Sequence, residues 1–419
     1  MKLIWRTVVN MSILGMICPG ALHALVGINL FRAYDINLLM PRWQGTNVQW
    51  VDWAEFSYKV QGVNEDGHRV PVTQLWSDKQ DAIAMLRGFD AQSPMTQFLQ
   101  NNLENIHATD TRGMFTVNGN LEARSYDTFI RGFLPHNMVF GVYVPIYDMR
   151  LNHVSFKDLT TENTAEDIIV KEQLTSVLKS RIHEFDPTLN LNGWHRVGFG
   201  DVIVMGEWCR DFPQAKEALK NVFLTGRLGF NLPTGVKTDS NEFFSVPFGF
   251  DGSMGMIFGA GLILNWYNHI RGGLDFEFTY LFGNTRERRV KVDLAQTDLL
   301  LLAKVKTHTD FGFIQRYNLF IAVDPWDALS LKAIYQFFKH SDDTVTLRTN
   351  AYSDFIANNA RNLQEWTFHH MIFKATLDLQ YLLDAPSVKP QVALFAKFPF
   401  NGQRAILCST VGFEFNLNF

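Results

Sequence analysis

The chain has 419 residues, with Lys+Arg 38 against Asp+Glu 42 and a formal net charge of −4, which gives no case for nucleic-acid binding. Its hydrophobic fraction of 47% and charged fraction of 19% suit either a globular domain or a membrane barrel. Beyond an N-terminal apolar run there is no stretch of about 18 apolar residues, which excludes spanning helices and leaves a closed barrel as the way to cross a bilayer.

The first 24 residues read as a secretory signal peptide. Lys2 and Arg6 form a basic start, Val8 to Ala24 is apolar, and Leu22-His23-Ala24 is a small-residue cleavage site that leaves Leu25 first. Cys18 follows Gly15-Met16-Ile17, a poor context for lipid attachment. Residues 25–47 form an N-terminal periplasmic or lumen segment, apolar with Arg32, Asp35 and Arg42 interspersed.

From residue 48 to 419 the chain alternates with a period of two, as strands do when one face meets lipid and the other a wet lumen. The predicted strands are Val48–Gln61, Met114–Phe133, Met138–Lys157, Trp194–Arg210, Val222–Leu232 and Phe248–Tyr267. Then come Gly272–Val292, Phe311–Val323, Leu329–Arg348, Glu365–Leu383, Gln391–Phe400 and Arg404–Phe419. Leu274, Phe276, Phe278, Tyr280 and Phe282 face one way, and Asp275, Glu277 and Thr279 the other. Between Phe248 and Trp266, glycines on the inner face are expected to leave room in a narrow lumen. The final Phe413-Glu414-Phe415-Asn416-Leu417-Asn418-Phe419 repeats the alternation, and Phe419 is the residue expected to engage a barrel-assembly machinery. Phe numbers 36 against 11 Tyr and 10 Trp, which suits a surface where no hydrogen-bonding handle is wanted. These readings predict an all-β, transmembrane, antiparallel up-and-down barrel of about twelve strands in the outer membrane, surrounded by its lipid.

Short turns such as Pro135-His136-Asn137, Asn268-His269-Ile270-Arg271, Asp324-Pro325-Trp326-Asp327 and Ala385-Pro386-Ser387 alternate with long connections. That is the short periplasmic and long extracellular pattern of a barrel. Loops 63–113 and 160–193 carry helix signals. Ser77 with Gln80 has capping-box spacing, Ser93-Pro94 places an N-cap before a first-turn proline, and Thr164 can cap a second helix. Phe98, Leu99, Leu103 and Ile106 mark one helix face; Val170, Leu174, Val177, Leu178 and Ile182 mark another. Such helices serve either as a lid over the pore or as packing on the rim.

The inward register carries Glu207, Arg227, Glu277, Arg316, Lys332, Lys374, Asp378 and Glu414, the candidate solute-lining residues, together with Glu55, Lys59, Asp201, Asp275 and Arg404. Both signs occur throughout, with no single-sign ring of the kind that selects ions. The lumen is thus either zipped by salt bridges or a polar path for a small-molecule solute. No catalytic residue, metal site or cofactor is predicted: there is no Gly-x-Gly-x-x-Gly turn, phosphate loop, His-Glu-x-x-His helix or Cys-x-x-Cys pair. His183-Glu184 and His369-His370 lack zinc-ligand partners, and after the signal only Cys209 and Cys408 remain.

Gly198-Phe199-Gly200-Asp201, Leu228-Gly229-Phe230-Asn231-Leu232-Pro233-Thr234-Gly235 and Gly141-Val142-Tyr143-Val144-Pro145 resemble motifs of outer-membrane transporters. The groups are the phenol-degradation-pathway barrels and, more distantly, the FadL-type hydrocarbon and fatty-acid channels; the resemblance spans roughly Gly141 to Phe282. It implies passive passage of small molecules, hydrophobic ones included, and a lumen plugged by an N-terminal segment, here Leu25–Asn47. The family's Asn-Pro signature is absent, and its barrel is larger than twelve strands. Two alternatives stand beside transport. One is a structural or adhesive barrel using loops such as Tyr352 to Asn362. The other is an outer-membrane lipid hydrolase built on Ser409 and His369, whose strands are expected to be separated by a third.

Overall fold

The computed structural model describes residues 47–103, 112–267, 269–381 and 388–419. The predicted signal peptide, the predicted lumen segment up to residue 46, Ile106 and the predicted Ala385-Pro386-Ser387 turn lie outside them.

In chain order the wall begins with β1 (Val48–Val63), β2 (Met114–Leu134), β3 (Met138–Asp158), β4 (Trp194–Phe199), β5 (Val202–Pro213), β6 (Leu219–Leu232), β7 (Gly255–Trp266) and β8 (Ile270–Leu281). After β9 (Asn284–Val290) and β10 (Ala303–Asp310), it continues with β11 (Ile314–Trp326) and β12 (Leu329–His340). Beyond β13 (Thr344–Leu347), it ends with β14 (Trp366–Asp378), β15 (Lys389–Gln403) and β16 (Ala405–Asn418). Strands β4 and β5 both pair with β3 and make two halves of one stave. Each stave pairs antiparallel with the next, and β1 pairs with both β2 and β16, so the twelve staves close into a ring. The seam runs from Gln49↔Asn418 to Val63↔Ala405, and the Asn47 amide donates to the Phe419 carbonyl at 2.6 Å.

Closure leaves the wall with two unlike faces. Ile130, Phe140, Leu228, Leu274, Leu319, Phe373, Leu394 and Phe413 are exposed, whereas Arg131, Arg227, Asp275, Arg316, Lys374 and Glu414 on the same strands are buried. An apolar belt around the whole circumference is far beyond what water tolerates on one molecule and is what lipid requires. The fold is therefore a transmembrane up-and-down antiparallel barrel of twelve staves, and both described chain ends meet at its short-turn, periplasmic end.

Several predicted strands differ in extent: Trp194–Arg210 breaks into β4 and β5, and Glu365–Leu383 ends at Asp378. Gly272–Val292 is two strands, because after Leu281 the chain leaves the wall and β9 joins β10 and β13 in a separate three-stranded sheet. Leu329–Arg348 divides in the same way into β12 and β13, and Phe248–Tyr267 begins only at Gly255. The apolar alternation lapses at both junctions, over residues 283–289 and at Ser341-Asp342-Asp343, where the hydrogen-bonding partner changes.

The separate sheet and five short helices form a headpiece: α1 (Ala82–Met85), α2 (Pro94–Asn102), α3 (Ala165–Val170), α4 (Leu178–Phe185) and α5 (Asp354–Ala357). Ser93 Oγ accepts from the Thr96 amide and Thr164 Oγ1 from the Asp167 amide, both at 3.2 Å, as their positions predict. Ser77 caps nothing. The chain bends after it, Gln80-Asp81 pairs with Met114-Phe115, and Asp81 caps α1 through the Ala84 amide at 2.9 Å. Phe98, Val170, Leu174, Leu178 and Ile182 pack in one cluster with the inward-facing Phe115, Val117, Leu121, Met149 and Leu151. The helices thus lie over the inner face at the mouth, in the lid position rather than on the outer rim.

Candidate functional site

All eight predicted lumen residues occupy inward positions. Glu207, Arg227, Glu277, Arg316, Lys374, Asp378 and Glu414 are buried. Lys332, half-buried, lies 5.2 Å from the centre of the inward Phe320 ring. Two further expectations fail. A bulge between Ser57 and Lys59 disturbs the alternation and leaves Lys59 exposed, and Arg404 sits in the β15–β16 turn at φ 50°, paired with Glu65 at 3.2 Å.

The inward ion pairs follow a rule that period alone does not reveal: most skip a strand. Arg131 on β2 reaches Glu207 on β5 at 2.7 Å, over Gly141 of β3. Arg227 on β6 pairs with Asp275 and, at 3.5 Å, with Glu277 on β8, over Gly259 and Gly261 of β7. Lys374 on β14 reaches Glu414 on β16 at 2.6 Å over Ala393 of β15. Lys397 on β15 reaches Glu55 on β1 at 2.9 Å past Gly412 of β16. Two strand spacings of about 4.8 Å are within the joint reach of a long basic side chain and a carboxylate, provided nothing tall stands between them. The Arg227 pairs cross only Gly259 and Gly261, whereas the others run diagonally, past Val139 as well as Gly141, Phe395 as well as Ala393, and Thr410 as well as Gly412. A Cβ on Gly261 would lie 2.7 Å from Thr225 Oγ1 and 3.2 Å from an Asp275 carboxylate oxygen. The inner glycines do not leave open room, as expected from sequence; they are bridged.

Arg316 on β11 extends the lattice to Glu277 at 2.9 Å, Asn318 Nδ2 donates to Asp275 at 3.0 Å, and Gln336 Nε2 donates to Asn318 at 3.0 Å. Nearer the periplasmic end Gln391 Nε2 donates to Asp378 at 3.2 Å, and Asn416 Nδ2 donates to Gln391 at 3.1 Å. Buried charge is tolerated here because it is paired and hydrogen-bonded. The inward charges are thus joined to one another in pairs.

The motifs that carry the family resemblance converge on one knot. Pro145 and Gly200 face each other where the fourth stave breaks, with the Gly200 amide donating to the Pro145 carbonyl at 2.9 Å. Next to it, buried Asp201 accepts from the Gly235 amide at 2.8 Å, the Phe250 amide at 2.6 Å and Asn231 Nδ2 at 3.2 Å. Asp201 is thus an organiser of the 233–253 loop rather than a free lumen charge.

That loop carries a second centre, missed in the sequence. Asp251 is buried and ion-paired to both Arg286 and Arg288 of β9, and it accepts from the Thr238 amide at 2.8 Å. Burial opposes its ionisation, but the two arginines outweigh that and hold its carboxyl below the usual value. Beside this clamp lies a partly open cavity of about 200 Å³, with Trp76, Phe244, Leu299 and Leu301 among its apolar lining and Arg288 and Asn362 among its polar lining. Five chain segments that meet only in the fold build it, so no local signal marks it.

The hydrolase pair does not assemble. His369 accepts from or donates to the Tyr335 hydroxyl at 2.8 Å, Ser409 is buried on β16, and β15 runs between their strands.

No family profile and no curated protein matches the chain. Among solved structures it is similar to an outer membrane channel from Pseudomonas putida F1, with 9% identity and a TM-score of 0.45, covering 96% of this chain and 100% of that one. It is also similar to the CymD monoaromatic hydrocarbon channel, with 8% identity and a TM-score of 0.32 over 94% and 97% of the two chains. A Pseudomonas aeruginosa FadL homologue gives 10% identity and a TM-score of 0.28 over 94% and 95%. At such distances the function of this chain has to be read from its own geometry.

Proposed function

We propose that this protein is an outer-membrane channel for passive passage of small molecules, hydrophobic ones included, without energy coupling. The observation that carries it is the two-faced wall: a closed ring with an apolar exterior and an interior of paired charges and amides. Under this reading Glu207, Arg227, Glu277, Arg316, Lys332, Lys374, Asp378 and Glu414 line the route. Residues 25–47 form the segment that regulates it, residues 1–24 are removed on export, and Phe419 is read by the assembly machinery. Liposomes carrying the folded protein are expected to release small uncharged dyes faster than empty ones, and faster still when residues 25–47 are deleted. Sealed liposomes with correctly inserted protein would transfer the case to the structural or adhesive reading.

A further inference from the structure

One row of the inner wall, close to the periplasmic turns, sets like charges side by side. Arg271 on β8, Lys332 on β12 and Lys374 on β14 share a register row, with Ala322 of β11 between the first two. Lys332 and Lys374 are direct cross-strand partners, a juxtaposition of equal sign that costs stability unless negative charge is brought to it. The two carboxylates ion-paired to this row each hold a cation already: Asp324 holds Arg271 at 2.6 Å, and Glu414 holds Lys374 at 2.6 Å. Asp378, the next inward carboxylate along β14, lies four residues beyond Lys374, about 13 Å at the rise of a strand, and accepts from Gln391. Three cations thus share two carboxylates. Hydroxyls stand beside them. Ser330 and Thr376 are cross-strand partners one inward step nearer the turn, and Ser330 Oγ accepts from Arg271 at 3.1 Å, so its own proton can be donated onward. Arg271, Ser330, Lys332 and Thr376 are half-buried, whereas Lys374 and Glu414 are buried. The donors can therefore be reached, and the closed Lys374–Glu414 pair cannot.

We infer that this row is a binding site for the carboxylate of a small monoanionic solute, held by the Lys332 ammonium with the Ser330 and Thr376 hydroxyls. One positive charge in excess matches one negative charge on the guest, and hydrogen bonds to an ionised group are the strong ones. A cationic guest would meet three charges of its own sign, and a neutral one would leave the Lys332–Lys374 repulsion in place. The inference rests on the channel reading for its purpose: it names the class of solute handed on at the periplasmic end.

The test uses the full protein in mild detergent at low salt and three probes of similar shape, butyrate, butyramide and butylammonium, followed by saturation-transfer NMR and calorimetry. Butyrate is expected to bind about tenfold more tightly than either other probe, the order of one hydrogen bond to a charged group. Lys332→Gln should lose that preference and Lys332→Arg should keep it. Lys339→Gln, on the outer face of the same strand where Lys339 pairs with Glu365 at 2.7 Å, is the control and should bind butyrate as the parent does. Equal binding of butyrate and butyramide, tightest binding of butylammonium, no binding of any probe, or a preference unchanged in Lys332→Gln would each overturn the site. The first three outcomes are read on the parent protein and stand even where a variant fails to fold. Dye release from liposomes is read separately. Butyrate bound with the stated preference in protein that leaves liposomes sealed keeps this site and removes the channel. Leaking liposomes with no probe preference do the reverse.

Discussion

The lumen wall and the headpiece both marry arginine to carboxylate, yet the two use the pairing differently. In the wall, Arg131, Arg227 and Arg316 meet their partners because strand register puts them within reach across a bare glycine or directly next door. In the headpiece, Arg286 and Arg288 both grip Asp251, and the clamp ties a connecting loop to a sheet with no register in common. The wall pairs are a consequence of periodic geometry. The clamp is what gives an irregular region a single geometry at all.

Breaking the wall lattice should cost most. Arg316, with 0% relative exposure, pairs with Glu277 and Asp275, and Arg316→Ala leaves these two buried carboxylates to share the single charge of Arg227. Truncating one member of a buried pair costs about 3–5 kcal/mol, so the urea midpoint for loss of the heat-modifiable gel form should fall clearly. Next comes the outer face: Leu319, mid-strand on β11 and 60% exposed, should cost about 2–4 kcal/mol as Leu319→Arg in a bilayer and little in detergent. Equal losses in both media would refute the claim that this face meets lipid. Gly261→Ala raises the floor under the Arg227–Asp275 pair and should cost about 1–3 kcal/mol through overpacking. Gly226→Ala, where a new Cβ meets nothing within 4 Å, is the matched control.

The smallest effect sharpens the other half of the comparison. Asp251 has a folded pKa below its ordinary 3.8, so the clamp's stabilisation is fully present above that value and disappears as pH falls through the lower, folded one. Limited proteolysis across acid pH should show cleavage in the 233–253 loop rising before the barrel itself unfolds. Asp251→Asn should show the same cleavage at neutral pH, where protection unchanged from the parent would show the clamp to be dispensable.

This contrast also explains what was legible in the residues alone. Ring size and the direction of most wall residues follow from a period of two, because one face had to be apolar throughout; Lys59, beyond a bulge, is where it fails. Asn284, Arg286 and Arg288 replace the apolar register of Leu274 to Phe282 with polar residues, but only the fold shows that the strand changes partners there. Nor could it show that Gly259 and Gly261 are crossings, because their meaning depends on Arg227 and Asp275, which come from different strands. The cavity beside Asp251 was hidden for the same reason, more severely: Trp76 and Asn362 have no neighbourhood in the chain.

The seam has a consequence for how this molecule comes into being. Glu55 and Thr410 hydrogen-bond across it although 355 positions separate them, and the other staves pair with neighbours close behind or ahead. Contacts between such distant parts of a chain form late, since the ordering cost of everything between them precedes the reward. Until then the growing sheet carries two raw margins, each inviting the wrong partner. The hollow interior is accordingly the last thing this protein acquires, and any chain cut short of β16 would be an open, adhesive sheet with no inside.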